Sequence, residues 1–252
     1  MYVTSAFFVK VQHNKHYVDN VRIRRQVSKP AAALFAFVCS KHLLSEWGKS
    51  LKKQQMRKAL IDATVYVISH YGLDKATTKL LATQAGLNEV YIYRVFKGKE
   101  DLFAKTFTEL NLELSEKILT RFEIMDKKEI EIETRCAFFF WAIWNFIISN
   151  REKFTCFVQY YYSPYFKKYS FLDHRSSYGA VIERFNPAFC EGTDVWMMLN
   201  HILDVMLSFA VKVFNGEMND SEQTAEYVFN LVYRAAQPHL VWTEKSKAPL
   251  FS

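Results

Sequence analysis

From Leu51 onward, apolar residues return along the chain at steps of three and four, not two. Met56, Leu60, Ala63, Val67 and Tyr71 form one stripe and predict a helix that stops at Gly72. Thr77 reads as the N-cap of a short second helix over 78–85, which Gly86 breaks. Asn88 reads as the cap of a third helix over 89–96. After Lys97-Gly98-Lys99 a long fourth helix carries Leu102, Phe103, Phe107, Leu110, Leu114, Ile118 and Phe122 inward. The same period predicts helices near 128–149, 151–162, 165–185, 194–215 and 221–236. The punctuation has physical causes: Asn150 as a cap, Pro164 in a first turn, Asn186-Pro187, Gly192 and Gly216 as breaks, and Asp220 or Ser221 as a cap. Before residue 51 the pattern lapses. Residues 1–11 alternate faintly and residues 30–44 read as one helix.

Composition sharpens this all-α expectation. The 252 residues hold seven glycines, and no two lie within five positions of each other. A G-x-G-x-x-G loop, a phosphate-binding P-loop and a G-x-S-x-G elbow all need clustered glycines, so these classes are excluded. Few glycines and five prolines also disfavour a β-sandwich. Cys39, Cys136, Cys156 and Cys190 lack zinc-site or disulfide-scaffold spacing, so they read as reduced thiols of a cytoplasmic protein. The pair His13 and His16 has nothing nearby to complete a metal set. His201 and Asp204 share one face of a helix and read as satisfied polar groups. No nucleophile–base grouping stands out, so we expect no enzyme, no metal and no cofactor.

Charge is uneven. The net charge is +7 overall, +6 over residues 1–50, +4 over 51–110 and −3 over 111–252. An anionic partner therefore belongs to the N-terminal half. The apolar run 136–148 is too short to span a bilayer. The run 195–214 is long enough but contains Asn200, His201, Asp204 and Lys212, which are costly in lipid. Both read as buried helices, and no membrane partner is expected.

The window 78–97 carries the specific signal. Ala82 is its fifth residue, Gly86 its ninth, Ile92 its fifteenth and Val95 its eighteenth, which is helix-turn-helix spacing. A small residue suits the helix crossing, glycine suits a turn with positive φ, and the two aliphatics pack the second helix onto the first. Asn88, Glu89, Tyr91 and Arg94 fall on the outer face of that second helix. Two short helices packing without DNA fit the same window.

Residues 56–103 resemble, without a gap, the DNA-binding domain of the tetracycline-repressor (TetR/AcrR) family. This chain departs from the family pattern at Val90-Tyr91, where Gly-Thr is frequent, and at Ala76, the first of a usual Ser/Thr pair. The resemblance implies a three-helix DNA-binding domain over 51–99 and a helical ligand-binding and dimerisation domain over 100–252. It implies that Thr77, Tyr93, Lys97 and Lys99 hold phosphates of double-stranded operator DNA, positioning the protein without reading sequence. It leaves base reading to Asn88, Glu89 and Tyr91, with Thr78 and Arg94. It further implies a homodimer through the last two helices, where Val195, Met198, Leu199, Ile202, Val205, Met206, Phe209 and Val213 lie on one face. Val228, Phe229, Leu231 and Val232 are the second helix's contribution.

The expected function is a one-component transcriptional repressor, released from a pseudo-palindromic operator by a small-molecule effector. The alternative is a helical small-molecule-binding or interaction protein without DNA binding. Fifteen of the 41 aromatic residues lie within 138–171. That density reads as an aromatic core or a ligand cavity, with Trp141, Trp144, Tyr161 and Tyr162 as the lining residues. Residues 1–50 exceed the family's usual start and read as a basic extension: a start assigned too early, a disordered extension, or an added phosphate-binding arm.

Overall fold

The computed structural model describes the backbone of residues 29–241 and the side chains of residues 47–241. Readings on residues 1–28, including the alternation at 1–11 and the His13/His16 pair, lie outside the described residues. The chain divides into two compact units, Met1–Lys52 and Lys53–Ser252. Helix α1 runs over Lys29–Tyr71, and its residues to Lys52 are the described part of the first unit. No break separates the 30–44 helix from the helix predicted after Leu51.

The second unit is all-α among its described residues. After α1 come α2 (Thr78–Gln84), α3 (Val90–Val95), α4 (Lys99–Arg121), α5 (Ile132–Ser149) and α6 (Arg151–Tyr161). Three short helices follow, α7 (Pro164–Tyr169), α8 (Phe171–Ser177) and α9 (Gly179–Phe185), and then α10 (Val195–Phe214) and α11 (Glu222–Ala236). One apolar core extends from Leu60 to Leu240.

Most predicted stops hold. Gly72 ends α1 at φ +89, a conformation that a side chain disfavours. Pro164 opens α7, and Ser221 rather than Asp220 caps α11 by accepting from the Thr224 N–H at 3.2 Å. Asn150 acts the other way from the prediction. Its side chain donates to the Phe146 carbonyl at 2.8 Å and so closes α5 instead of capping α6.

The single helix predicted over 165–185 is three helices. Phe166, Ser170, His174, Tyr178, Val181 and Phe185 are all buried, and their steps of three and four run through both breaks. The periodicity therefore survives while the backbone bends. At the first bend the buried Ser170 hydroxyl meets the Tyr160 hydroxyl at 2.8 Å. At the second, Tyr178 joins α8 to α9.

Candidate functional site

The helix-turn-helix is built from its caps outward. The Thr77 hydroxyl accepts from the Leu80 N–H at 3.2 Å and starts α2, a cap of about 1 kcal/mol. Gly86 turns the chain at φ +65. Asn88 then organises the start of α3: its Oδ1 accepts from the Val90 N–H at 3.0 Å and its carbonyl from the Tyr91 N–H at 2.9 Å. Glu89, not Asn88, is the residue immediately before the helix. Inward, Leu81, Ala82, Ile92 and Phe96 are buried. Outward, Asn88, Val90, Tyr93, Arg94 and Lys97 are exposed.

The structure divides the predicted DNA contacts into free and engaged groups. Tyr93 is 61% exposed. The Arg94 guanidinium lies over the Tyr91 ring at 5.3 Å, so the two form one stacked surface. The half-buried Lys99 reaches back over Phe103 at 5.6 Å. The Lys97 N–H donates to the Asp101 carboxylate at 2.9 Å, which seats the residue at the mouth of α4. The structure brings Thr78 and Glu89 together. The Thr78 hydroxyl donates to a Glu89 carboxylate oxygen and ties α2 to α3. That oxygen is engaged inside the motif, and the pair is a brace between the two helices. Val90, which was not among the expected contacts, is 52% exposed on the first turn of α3. The signal was available: a branched apolar residue stands where the resembling family places glycine.

The body contains a cavity of about 100 Å³. Phe139, Phe140, Phe185 and Phe229 supply rings to its wall, Leu199, Ile202, Leu203 and Met206 supply α10, and Cys136, Tyr178 and Tyr233 are among the other residues. Trp141, Trp144, Tyr161 and Tyr162 do not line it. Trp144 is buried and stacks on Phe140 at 5.9 Å, while Trp141 packs edge-on to Phe140 at 6.2 Å. Tyr161 stacks with Phe157 at 6.2 Å, and Tyr162 is 71% exposed. The aromatic density of 138–171 thus serves mainly the core, and the cavity draws its other walls from residues beyond that stretch.

Beside it lies a buried polar cluster. The rings of Phe107, Tyr161, Phe166, Tyr178 and Trp196 surround His174 at centroid distances of 5.2–5.9 Å. Burial pushes its pKa down to about 4, so the ring is neutral at pH 7. His174 Nδ1 pairs with Asn111 Oδ1 at 3.0 Å, the Asn111 amide donates to Ser177, and Ser177 donates to the His174 carbonyl at 2.7 Å. This cluster fixes α8 against α4. Burial also raises the Cys136 and Cys156 thiols to about 12, which leaves them unreactive as nucleophiles. Among the described residues no group of His, Cys, Asp and Glu is arranged to hold a metal ion.

The last two helices are less uniform than the sequence suggested. Val195, Leu199, Met206, Val228, Phe229 and Val232 are buried within the protomer, so they belong to its own core. The exposed apolar residues are instead Met197, Tyr227 and Leu231, and Tyr227 meets the half-buried Phe209 edge-on at 5.9 Å. Helix α10 is long and apolar enough to cross a membrane, yet only 22% of that stretch is buried.

Comparison with known proteins gives a consistent picture. Residues 60–106 match the model for "Bacterial regulatory proteins, tetR family". No curated protein matches the sequence. The fold is similar to that of a TetR family transcription regulator from Marinobacter aquaeolei VT8, at TM-score 0.59 and 15% identity over 74% of this chain and 97% of that one. It is also similar to the fatty acid degradation regulator FadR from Bacillus halodurans, at TM-score 0.52 and 16% identity over 70% of this chain and 93% of that one. A TetR-like transcriptional regulator from Rhodococcus sp. RHA1 gives TM-score 0.52 and 14% identity over 72% and 96%. Identities this low establish likeness of fold.

Proposed function

We propose that this chain, a DNA-binding transcription regulator of the tetR family, is a dimeric repressor that a small molecule releases from its operator. The observation that carries the reading is the helix-turn-helix itself. Thr77 and Asn88 cap its helices, Ile92 and Phe96 anchor it, and Tyr93, Arg94 and Lys97 remain exposed. Tyr93, Lys97 and Lys99, with Thr77, would take phosphates and set the register. Asn88 and the stacked Tyr91–Arg94 pair would read base edges, and an arginine pairs well with guanine. Thr78 and Glu89 would hold the two helices at their reading angle.

One recognition helix per chain reads half a site. The open apolar surface on Met197, Phe209, Tyr227 and Leu231 supports a second copy packing there, so two recognition helices would enter grooves about 34–36 Å apart or somewhat more. A ligand in the body would favour a dimer geometry whose spacing no longer matches DNA, and so would need different affinities for the two geometries. The +6 charge of residues 1–50 would add phosphate contacts and steepen the salt dependence. A multidrug binding protein complexed with imidazole, EbrR, is similar in fold at TM-score 0.50 and 14% identity over 71% of this chain and 93% of that one, which supports a body able to hold a small molecule.

The test is selection from a random DNA pool with the purified full chain at about 150 mM salt, near physiological ionic strength. An enriched inverted repeat supports the dimeric regulator. Recovery of unenriched, salt-labile DNA overturns it and favours a ligand-binding protein that does not read DNA. Phe substitution of Tyr93 together with Ala substitution of Lys97 should weaken binding to all sequences alike.

A further inference from the structure

The cavity of the body has a chemistry more specific than its size suggests. None of the residues lining it carries a charge. A ligand ion placed there would lose its hydration without a counter-ion, which excludes carboxylates and disfavours strongly hydrated primary ammonium ions. Water is disfavoured too, because an ordered water needs two to four polar partners. Three polar side chains line the cavity. The Cys136 thiol is a weak donor held protonated by burial. The Tyr233 hydroxyl has the Gln237 side chain as a partner. Tyr178 is the exception.

Tyr178 is 2% exposed, and its ring is held edge-on by His174 at 5.2 Å and Trp196 at 5.9 Å. Its hydroxyl makes no hydrogen bond among the described residues and is not sealed by neighbouring atoms. Burial raises its pKa, so the proton stays on and the group is a donor. A hydroxyl that keeps open surface and has no protein partner is free to donate to a guest. Its place at the joint between α8 and α9 fixes it by two helix ends.

We propose that the body binds a compact, uncharged, largely hydrocarbon molecule bearing one hydrogen-bond acceptor, such as a ketone, aldehyde or ester, and that the Tyr178 hydroxyl donates to that acceptor. The proposal rests on the reading of the body as an effector site but concerns binding alone, so it can stand or fall without DNA. At about 100 Å³ the cavity is somewhat smaller than one of about 150 Å³ that holds benzene, so a single small ring is the largest guest to test.

The experiment is calorimetric titration of the full chain with four probes of one shape: cyclohexanone, methylenecyclohexane, cyclohexylammonium and cyclohexanecarboxylate. Cyclohexanone and methylenecyclohexane differ only in the acceptor. Both should bind, and the two ions should not. Tyr178→Phe should weaken cyclohexanone about five- to tenfold and leave methylenecyclohexane unchanged. Its melting temperature should not fall, because the hydroxyl it removes has no partner. Ala236→Leu, which fills the cavity from its wall, should abolish binding of both neutral probes and serves as a control for location. Equal effects of Tyr178→Phe on the two neutral probes overturn the proposal. So does preferred binding of either ion, or absence of binding by all four at millimolar concentration. Binding that has no effect on DNA retention leaves the ligand class standing and removes only its role as effector.

Discussion

The helix-turn-helix and the body solve the same packing problem differently. In the first, Leu60, Leu81 and Ile92 keep no exposed surface, and the polar side chains at the helix starts are spent on caps and on the Thr78–Glu89 brace. In the second, a longer chain encloses an unfilled apolar cavity, a neutral histidine ringed by aromatics, and a tyrosine hydroxyl without a partner. One region presents a fixed outer surface and the other keeps space inside. A close-packed head joined to a body with internal space suits the proposed ligand-controlled switch, because packed helices pass on a shift that starts at the cavity.

The largest test of this contrast is Ile92→Ala. It should cost about 2–5 kcal/mol in denaturant unfolding and abolish DNA retention, since the recognition helix has few other anchors. A loss below about 1 kcal/mol would mean that the head is loosely packed, contrary to its burial.

Acidification should strike the body. The folded His174 has a pKa near 4, below the ordinary imidazole value of about 6.5, so between those values the unfolded chain binds a proton that the fold refuses. The stability held above pH 6.5 is therefore lost as pH falls toward 4, by at most about 3 kcal/mol. Melting temperatures at pH 7.5 and 5 should differ more in the wild type than in His174→Gln. Equal differences would place the acid sensitivity elsewhere.

Enlarging one alanine in each region should give opposite signs. Ala82→Leu overfills the helix crossing and should cost about 1–3 kcal/mol. Ala236→Leu adds carbon to an open cavity and should be neutral or stabilise by about 0.5–2 kcal/mol. Destabilisation of equal size at both sites would show that the body has no usable space.

The smallest effect sharpens the reading surface. Asn88 Oδ1 and one Glu89 oxygen are engaged inside the motif, while Val90 is exposed on the first turn of α3, so in the proposed complex it would be the apolar group offered to a base. Apolar contact with a thymine methyl is the matching chemistry. Replacing one thymine by uracil in the selected operator removes only that methyl. It should weaken the wild type about threefold and Val90→Ala hardly at all, as expected for one buried methyl group. No sensitivity at any thymine would remove Val90 from base reading.

The sequence alone determined the local features. Thr77, Gly86 and Ile92 mark cap, turn and inner face within a window of 20 residues, and each acts through neighbours a few positions away. The exposure of Arg94 was legible for the same reason, as was a cap at Asp220 or Ser221, of which the structure uses Ser221. Tertiary structure decided the rest. The stripe from Phe166 to Phe185 keeps helical spacing, so nothing in it announced bends at Ser170 and Tyr178. The Ser170 hydroxyl meets Tyr160 in α6, 10 residues back, and His174 meets Asn111 in α4, 63 residues back. The cavity took only Phe139, Phe140 and Ile143 from the densest run of rings and drew most of its other walls from α9, α10 and α11. Periodicity reports which side of a helix is apolar; which neighbour covers that side, and whether the fit leaves space, is fixed only when distant segments meet.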